Sequence, residues 1–504
     1  MTLDDTIAAI ATPLGEGGLA VVRISGPQTL AVADKSFLPV GENSLKPSAA
    51  ATHTIHYGKI VRQGRSVDEV LVAVMRAPHT FTREDTVEIT CHGGILPAKL
   101  VLDTLLENGA RLAEPGEFTR RAFLNGRIDL AQAEAVADLI HSRTELALAA
   151  ANEQLAGKLS QRINALRDEM MRTLAHVEAH IDFPDEDISP DTKEQLLKRL
   201  EHGVAFMDDL LRTANEGQIL RRGIRAAIVG RPNAGKSSLL NRLLGHDRAI
   251  VSPIPGTTRD TIEETANIRG LPVVFIDTAG LREARDEIEQ EGVRRSRESL
   301  ARAEFILHVL DASEPFTPAD EKYFAEFAGK KRILVVNKID LPRKWDAEEL
   351  ERQVGVQASA CSPDKLKLEL QRDSRAQERR PPARHETSKS SPQAVPEAGV
   401  PIVDVCCLSG QGIEVLKDAI KELVWSGEIT AGMLQVMINS RHQDALTRAR
   451  AATQRTLDVL RAGETLELAA GELRIAVNAI GEIVGKTTTE DLLDSIFSQF
   501  CIGK

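Results

Sequence analysis

The chain has 504 residues, room for about three domains of ~100–200 residues each, and its 42% hydrophobic and 27% charged residues exclude a disordered or fibrous chain. A net charge of −11 gives no global attraction for phosphate backbones, so any contact with nucleic acid runs through a local patch or a partner. Five cysteines (Cys91, Cys361, Cys406, Cys407, Cys501), odd in number and without metal-ligand spacing, indicate a reducing compartment, and aromatics at 3% leave the cores to Leu, Ile, Val and Ala.

The opening stretch, MTLDDTIAAIATPLGEGG, is acidic and glycine-broken, unlike a secretory or transit signal. No apolar run reaches the ~18–20 residues of a membrane span, so a cytoplasmic protein with no membrane contact is expected. Residues 1–122 alternate short apolar runs (LAVVRISG, EVLVAVMRA, TVEITCHGG) with Gly/Pro turns, and ILPAKLVLDTLLENGA reads as a helix. That is an α+β pattern. From RIDLAQAEAVADLI to about Arg221 the period is helical with almost no Gly or Pro, interrupted mainly by FPDEDISP at 183–190. Residues 224–420 alternate strands with helices, the pattern of a parallel sheet. After Leu423 the chain is helical again, in INSRHQDALTRARAATQRTLDVLRA and EDLLDSIFSQF.

An α/β unit between two helical stretches predicts an insertion, with the flanks packing together as one helical domain. The predicted division is 1–122, 123–220, 221–424 and 425–504. Residues 371–398, rich in Arg, Ser and Pro, cannot bury enough apolar surface to offset ordering entropy. A disordered insert over about 355–400 within the third unit follows, and deleting 371–395 is expected to leave that unit's function intact.

The third unit carries a nucleotide site. IRAAIVGRPNAGKSSLLN is a strand, a glycine-bounded loop and a helix start. Gly230 and Gly235 let the loop wrap a phosphate with its backbone N–H groups inward. Lys236 adds a cation for the β- and γ-phosphates, the helix N-terminus adds its dipole, and Ser237 offers a hydroxyl to Mg²⁺. In VVNKID, Asn337 and Asp340 follow a β-run, and the Asp340 carboxylate can accept from guanine N1–H and N2–H₂. Adenine would leave that carboxylate unpaired. The stem of Lys338 can cover the base. In VVFIDTAG, Asp277 ends a strand beside the Mg²⁺ shell and Gly280 offers an N–H to the γ-phosphate. Thr258 of PGTTRD is the second Mg²⁺ ligand, and CCLSG (406–410) places backbone N–H groups near guanine O6. Where Ras-like switches have a water-orienting Gln, this chain has Leu281. Asp286, Glu287 and Glu289 are the candidates for that task, and spacing does not choose among them.

Together GRPNAGKSSLLN, GTTRD and DTAGLRE resemble the TrmE–Era–EngA class of GTPases. The flanks DTIAAIATPLGEGGLAVVRISGP, FTREDTVEITCHGG, PGEFTRRAFLNGRIDLAQAEAVADLI, IDFPDEDI and FSQFCIGK narrow the resemblance to the MnmE (TrmE) family of tRNA-modification GTPases. It implies a multidomain α/β protein: an α+β N-terminal folate-binding and dimerising domain, a split all-α domain, and an inserted Ras-like P-loop GTPase domain with a mixed sheet. It implies GTP contacts at Asn233, Ala234, Gly235, Lys236, Ser237, Ser238, Ser252, Pro253, Ile254, Pro255, Gly256, Thr257, Thr258, Asp277, Thr278, Ala279, Gly280, Asn337, Lys338, Asp340, Cys406, Cys407 and Leu408. The Mg²⁺ ligands implied are Ser237 and Thr258, with Asp277 acting through water.

The same resemblance implies K⁺-dependent hydrolysis, with K⁺ held by Asn233, Ser252, Ile254 and Thr257 and the water organised by Glu289. It also implies hydrolysis coupled to G-domain dimerisation in a homodimer. An FAD-dependent partner, MnmG, in a heterotetramer or larger complex, is implied in modifying C5 of wobble uridine 34 of certain tRNAs with a carboxymethylaminomethyl or aminomethyl group. The one-carbon donor is a 5,10-methylene- or 5-formyl-tetrahydrofolate, whose contacts carry over to Arg23, Glu88, Arg127 and Lys504. Such types suit the ligand, a carboxylate for the guanidine-like pterin edge and cations for the folate carboxylates. Cys501, beside that terminus, is a nucleophile or redox centre, or else a small apolar residue buried at a packed end. The guanine loop departs from the usual Ser-Ala at Cys406–Cys407, which backbone contacts should survive.

Overall fold

The computed structural model describes residues 4–182, 190–245, 263–276, 302–346, 348–350, 359–360, 400–425 and 434–503. Its first sheet has seven strands: β1 (Ile7–Ile10), β2 (Leu19–Ser25), β3 (Phe37–Pro39), β4 (Thr54–Arg62), β5 (Arg65–Met75), β6 (Thr86–His92) and β7 (Arg111–Leu112). Their spatial order is β3-β4-β5-β6-β2-β1-β7, antiparallel except for the β1–β7 pair. Period-two alternation sends Ala20, Val22 and Ile24 of β2 and Val87, Ile89 and Cys91 of β6 to one face. There they pack on α1 (Thr29–Ser36) and α2 (Ile95–Glu107) through Val32, Ala98, Val101 and Leu105.

The opposite face is covered only in part. Over β1, Phe118 of α3 (Glu117–Leu124) packs on Ile7 and Ala9. Over β4 and β5, Ile55, Tyr57 and Leu71 are exposed. The register Ile55–Ala73–Glu88–Arg23–Ala9 runs across this face and sets Arg23 opposite Glu88 where the covered and bare parts meet.

Five helices follow: α4 (Leu130–His141), α5 (Glu145–Leu155), α6 (Lys158–Asp182), α7 (Pro190–Arg212) and α8 (Ala214–Arg222). Asp129 starts α4 with a reciprocal capping box to Gln132. Gly223, at φ 74, then turns the chain into a second seven-stranded sheet. Its strands are β8 (Ile224–Val229), β9 (Glu264–Ile268), β10 (Leu271–Phe275), β11 (Phe305–Asp311), β12 (Arg332–Asn337), β13 (Ser359–Ala360) and β14 (Pro401–Asp404). The order β13-β14-β12-β11-β8-β10-β9 is parallel except for the β9–β10 hairpin. The runs FILHVLD and RILVVN are buried throughout, as central strands covered on both faces must be. On one face lie α9 (Lys236–Leu244) and α11 (Ile413–Val424); on the other lies α10 (Pro318–Glu326). The disorder expected over about 355–400 does not hold at Ser359–Ala360, which pair in parallel with Pro401–Ile402; the remainder of that span, apart from Val400, lies outside the described residues.

The chain returns to the helices as α12 (Ser440–Ala462), α13 (Leu466–Val484) and α14 (Glu490–Phe497). One core holds both helical stretches: Ile163, Leu166, Met170 and Leu200 pack with Leu446, Leu473, Val477 and Ile480. The helical unit is thus split by the inserted sheet. Leu493, Ile496, Phe497 and Phe500 close on Leu130 and Ala133, and Ile502 forms an antiparallel bridge with Pro115. Among the described residues no helix is long and apolar enough to cross a membrane.

Candidate functional site

The carboxyl ends of β8, β11, β12 and β14 lie side by side, and the loops that leave them form the candidate nucleotide site. In open α/β sheets this edge is where ligands bind. After Val229 the chain turns at Gly230, φ 145, where a Cβ would stand 2.3 Å from the Val309 carbonyl oxygen. Asn233 takes φ 62, which an Asn tolerates in a tight loop. Gly235, φ 97, precedes α9; a Cβ there would meet Nδ2 of Asn337 at 2.1 Å. Only glycine fits at that point. Lys236 folds back over the loop, its Nζ donating to the carbonyls of Gly230 at 2.9 Å and Arg231 at 2.7 Å. Burial lowers its pKa. A half-buried ammonium held by two neutral carbonyls gains most from an anionic partner.

Asn337 joins three loops. Its Nδ2 donates to Ala234 O at 2.9 Å, and its Oδ1 accepts from Cys407 N–H at 3.2 Å. Lys338 follows at φ 63 and pairs its Nζ with Asp311 Oδ2 at 2.5 Å. Cys406 Sγ lies 3.2 Å from Asp340 Oδ1. Leu408 is 82% exposed above this loop. The structure therefore brings together 230–238, 337–340 and 406–408. The expected residues Ser252 to Thr258, Asp277 to Gly280, Leu281, Asp286, Glu287, Glu289 and Lys504 lie outside the described residues.

Three supports of the site have no role assigned by its motifs. Arg242 of α9 donates to Cys407 O at 2.7 Å and to Leu408 O, clamping the loop after β14. Arg231 pairs with Asp320 at 3.0 Å, tying the phosphate loop to α10. Asp311 is the partner of Lys338. Each is an ordinary charged residue whose meaning comes from a contact distant in sequence.

A second constellation lies on the half-covered face of the first sheet. Arg23 meets Glu88 at 2.7 Å, its guanidinium carbon lies 5.6 Å from the Phe118 ring centre, and its Nη1 donates to Gly503 O at 3.4 Å. The 500–503 tail is thus part of this site. Gly503, φ 96, is forced by the approach of Ile10 O, 2.4 Å from where a Cβ would be. Phe81 packs in the same cluster as Phe118, and Arg127 stacks on it, 5.0 Å from the ring centre, while donating to Thr80 O at 2.9 Å. Arg23, Glu88 and Arg127 are therefore linked through two aromatic rings. Cys501 has an exposed thiol, so it is not the buried packing residue that was one alternative.

Comparison with known proteins agrees across the whole length. A family model described as "GTP-binding protein TrmE N-terminus" matches residues 6–127, and one described as "MnmE helical domain" matches residues 130–501. The "tRNA modification GTPase MnmE" of Geobacillus kaustophilus is 46% identical over 507 residues, covering 100% of both chains. The protein of that name from Listeria innocua is 44% identical over 99% of both, and that from Chloroflexus aurantiacus 44% identical over 100% of both. The two matched regions share one chain with the phosphate loop between the helical segments, and the chain belongs to the MnmE (TrmE) family.

Proposed function

We propose that this chain is a GTP hydrolase acting in tRNA modification, as the names of its relatives say of them. The observation that carries the reading is Asn337, which fastens the phosphate loop at Ala234 to the base loop at Cys407. That fixes the distance between a phosphate cradle and the Asp340 carboxylate. Lys236 exchanges its two carbonyl partners for β- and γ-phosphate oxygens. Asp340 takes the guanine N1–H and N2–H₂.

Mg²⁺ and K⁺, when bound, supply positive charge to the phosphates as negative charge develops on them. Ser237 and Thr258, with Asp277 through water, are the residues for the first. The exposed Asn233 side chain, which makes no hydrogen bond among the described residues, suits a hard monovalent cation. Ser252, Ile254 and Thr257 complete that set, and Glu289 orders the water.

On the first sheet, Glu88 suits a pterin edge and Arg23, Arg127 and Lys504 suit carboxylates, which supports a tetrahydrofolate donor. The bare apolar face with Ile55, Tyr57 and Leu71 favours a homodimer through this domain. MnmG, carrying FAD, is the partner in the wobble-uridine chemistry.

The test is hydrolysis of GTP, ATP and XTP in K⁺ and in Na⁺, together with nucleoside analysis of tRNA from a deletion strain. GTP selectivity, a several-fold K⁺ stimulation and loss of the C5 group on wobble uridine are expected. Equal rates in K⁺ and Na⁺ refute the Asn233 assignment, and unchanged tRNA makes the protein a switch of another kind.

A further inference from the structure

Beside Arg127 stands a second arginine that no motif assigns. Arg83 takes φ 61, a left-handed backbone that costs a non-glycine residue energy. Its Nη1 donates to Asn125 O at 2.9 Å, and Asn125 Nδ2 returns a bond to Thr82 O at 2.7 Å, so the 80–83 and 125–127 turns are locked together. A Cβ at Gly126 would touch Arg83 Nη1 at 3.6 Å. Arg127 therefore shares its turn with a second guanidinium. Burial first, and then the charge of Arg83, lower the pKa of Arg127.

Both arginines are exposed, and among the described residues neither has a carboxylate partner. Several other arginines of this domain are paired, Arg111 with Asp5 and Glu117, Arg121 with Asp5, Glu84 and Glu117, and Arg62 with Glu107, while Arg76 is held by the carbonyls of Pro47, Ser48 and Ala50. Two like charges held side by side by a strained turn leave an unmet demand for an anion. One end of the site holds Glu88, the middle is floored by Phe118 and Phe81, and the far end holds Arg127 and Arg83.

We propose that Arg83 and Arg127 form a paired-guanidinium clamp for the carboxylate chain of a folate, selecting ligands that carry more than one glutamate. This rests on the folate reading of the site given above. The pterin end is neutral and pairs with Glu88. The first glutamate carboxylates meet Arg127, and each further glutamate brings a carboxylate within reach of Arg83. Guanidinium–carboxylate pairs are charge-assisted and can be bidentate, so the second arginine adds affinity that depends on tail length.

The experiment is equilibrium titration of the full chain with 5-formyl-tetrahydrofolate carrying one or three glutamates. The variants are Arg83→Asn, which tolerates the left-handed backbone without the charge, and Arg83→Lys, which keeps the charge. The wild type should bind the triglutamate more tightly. Arg83→Asn should lose about fivefold to tenfold for the triglutamate, the worth of one solvent-exposed hydrogen bond, and less than about twofold for the monoglutamate. Arg83→Lys should recover part of the loss. Equal affinity of the wild type for both forms, or an equal loss for both in Arg83→Asn, overturns the clamp and leaves the folate reading standing. Wild type that binds neither form removes the folate reading and the clamp with it. If Arg83→Asn weakens tRNA binding and neither folate, the pair serves phosphates and the proposal is wrong.

Discussion

The thiol of Cys406 donates to the carboxylate of Asp340, with Sγ 3.2 Å from Oδ1. The residue proposed to read the base is therefore oriented by a weak, soft donor from the next loop. Asp340→Asn should lower GTP affinity and favour xanthine nucleotide. Cys406→Ser, a better donor, should bind GTP at least as well as the native chain. Cys406→Ala should lose about threefold to tenfold, the worth of one hydrogen bond. Nucleotide titration of the three variants checks this, and unchanged affinity in Cys406→Ala rules out an orienting role.

Gly235→Ala tests whether the two loops must touch. Its Cβ would stand 2.1 Å from Asn337 Nδ2, and the residue already sits at φ 97. The variant should stay folded by circular dichroism and lose GTP binding by more than about tenfold, because Asn337 must release Ala234 to make room. Retained binding would show that the Ala234–Asn337 bond is dispensable.

His308 offers a test of acid stability. It is fully buried on β11 among Tyr323, Phe324 and Phe327, and neither ring nitrogen has a hydrogen-bond partner. Burial, helped by the charge of Arg332, pushes its pKa down to about 3. The unfolded chain takes up a proton near pH ~6.5 and the folded chain does not, so stability is full above that pH and falls as pH drops toward about 3. Between about pH 7.5 and about pH 5 the loss is about 2 kcal/mol. His308→Leu should remove that slope. Of the two tryptophans, Trp345 packs within the nucleotide-binding unit and Trp425 packs where that unit meets the helices, so urea unfolding followed by Trp345 fluorescence in a Trp425→Phe background reports the unit. An identical pH slope in the variant refutes the account.

Where the two helical stretches meet, Arg441 grips Glu134 at 2.8 and 2.9 Å, and His442 Nε2 lies 2.8 Å from the same carboxylate. His442 Nδ1 accepts from Asn439 N–H, so its proton sits on Nε2 and points at Glu134. Burial pushes the His442 pKa down to about 4, leaving the ring neutral near pH 7 and Arg441 as the charge. Burial also opposes ionisation of Glu134, but its partners outweigh that and hold the carboxyl well below the usual range. Glu134→Ala would strand the arginine and should cost about 3–5 kcal/mol of helical-unit stability. Thermal unfolding monitored by helical dichroism measures it, and a loss under about 1 kcal/mol would show that water replaces the carboxylate.

The parts of the molecule legible in the sequence are those whose chemistry is set by neighbours along the chain. Gly230, Gly235, Lys236, Asn337 and Asp340 declare themselves by spacing, since a phosphate cradle is built from consecutive backbone groups. The helical flanks declare themselves by period, and their common core follows from the interruption between them. Arg242, Asp311, Arg83 and Glu134 do not, because each matters through a partner brought near only by folding. Arg83 gives no local sign of its left-handed turn, and Glu134 reads as a routine helix charge until α12 covers it. Ser359–Ala360 show the converse error: a polar, low-complexity neighbourhood conceals two residues that complete a sheet edge.

The antiparallel bridge between Pro115 and Ile502 has a consequence for the order in which the protein matures. Arg23 and its sheet leave the ribosome early, but the carbonyl of Gly503 that Arg23 holds is made 480 residues later. A growing chain can form the first sheet and close the nucleotide unit while the pocket beside Arg23 still lacks a wall. The 434–503 segment supplies that wall and half of the helical core together. Loss of that segment removes both at once, so its synthesis acts as the checkpoint for a finished pocket.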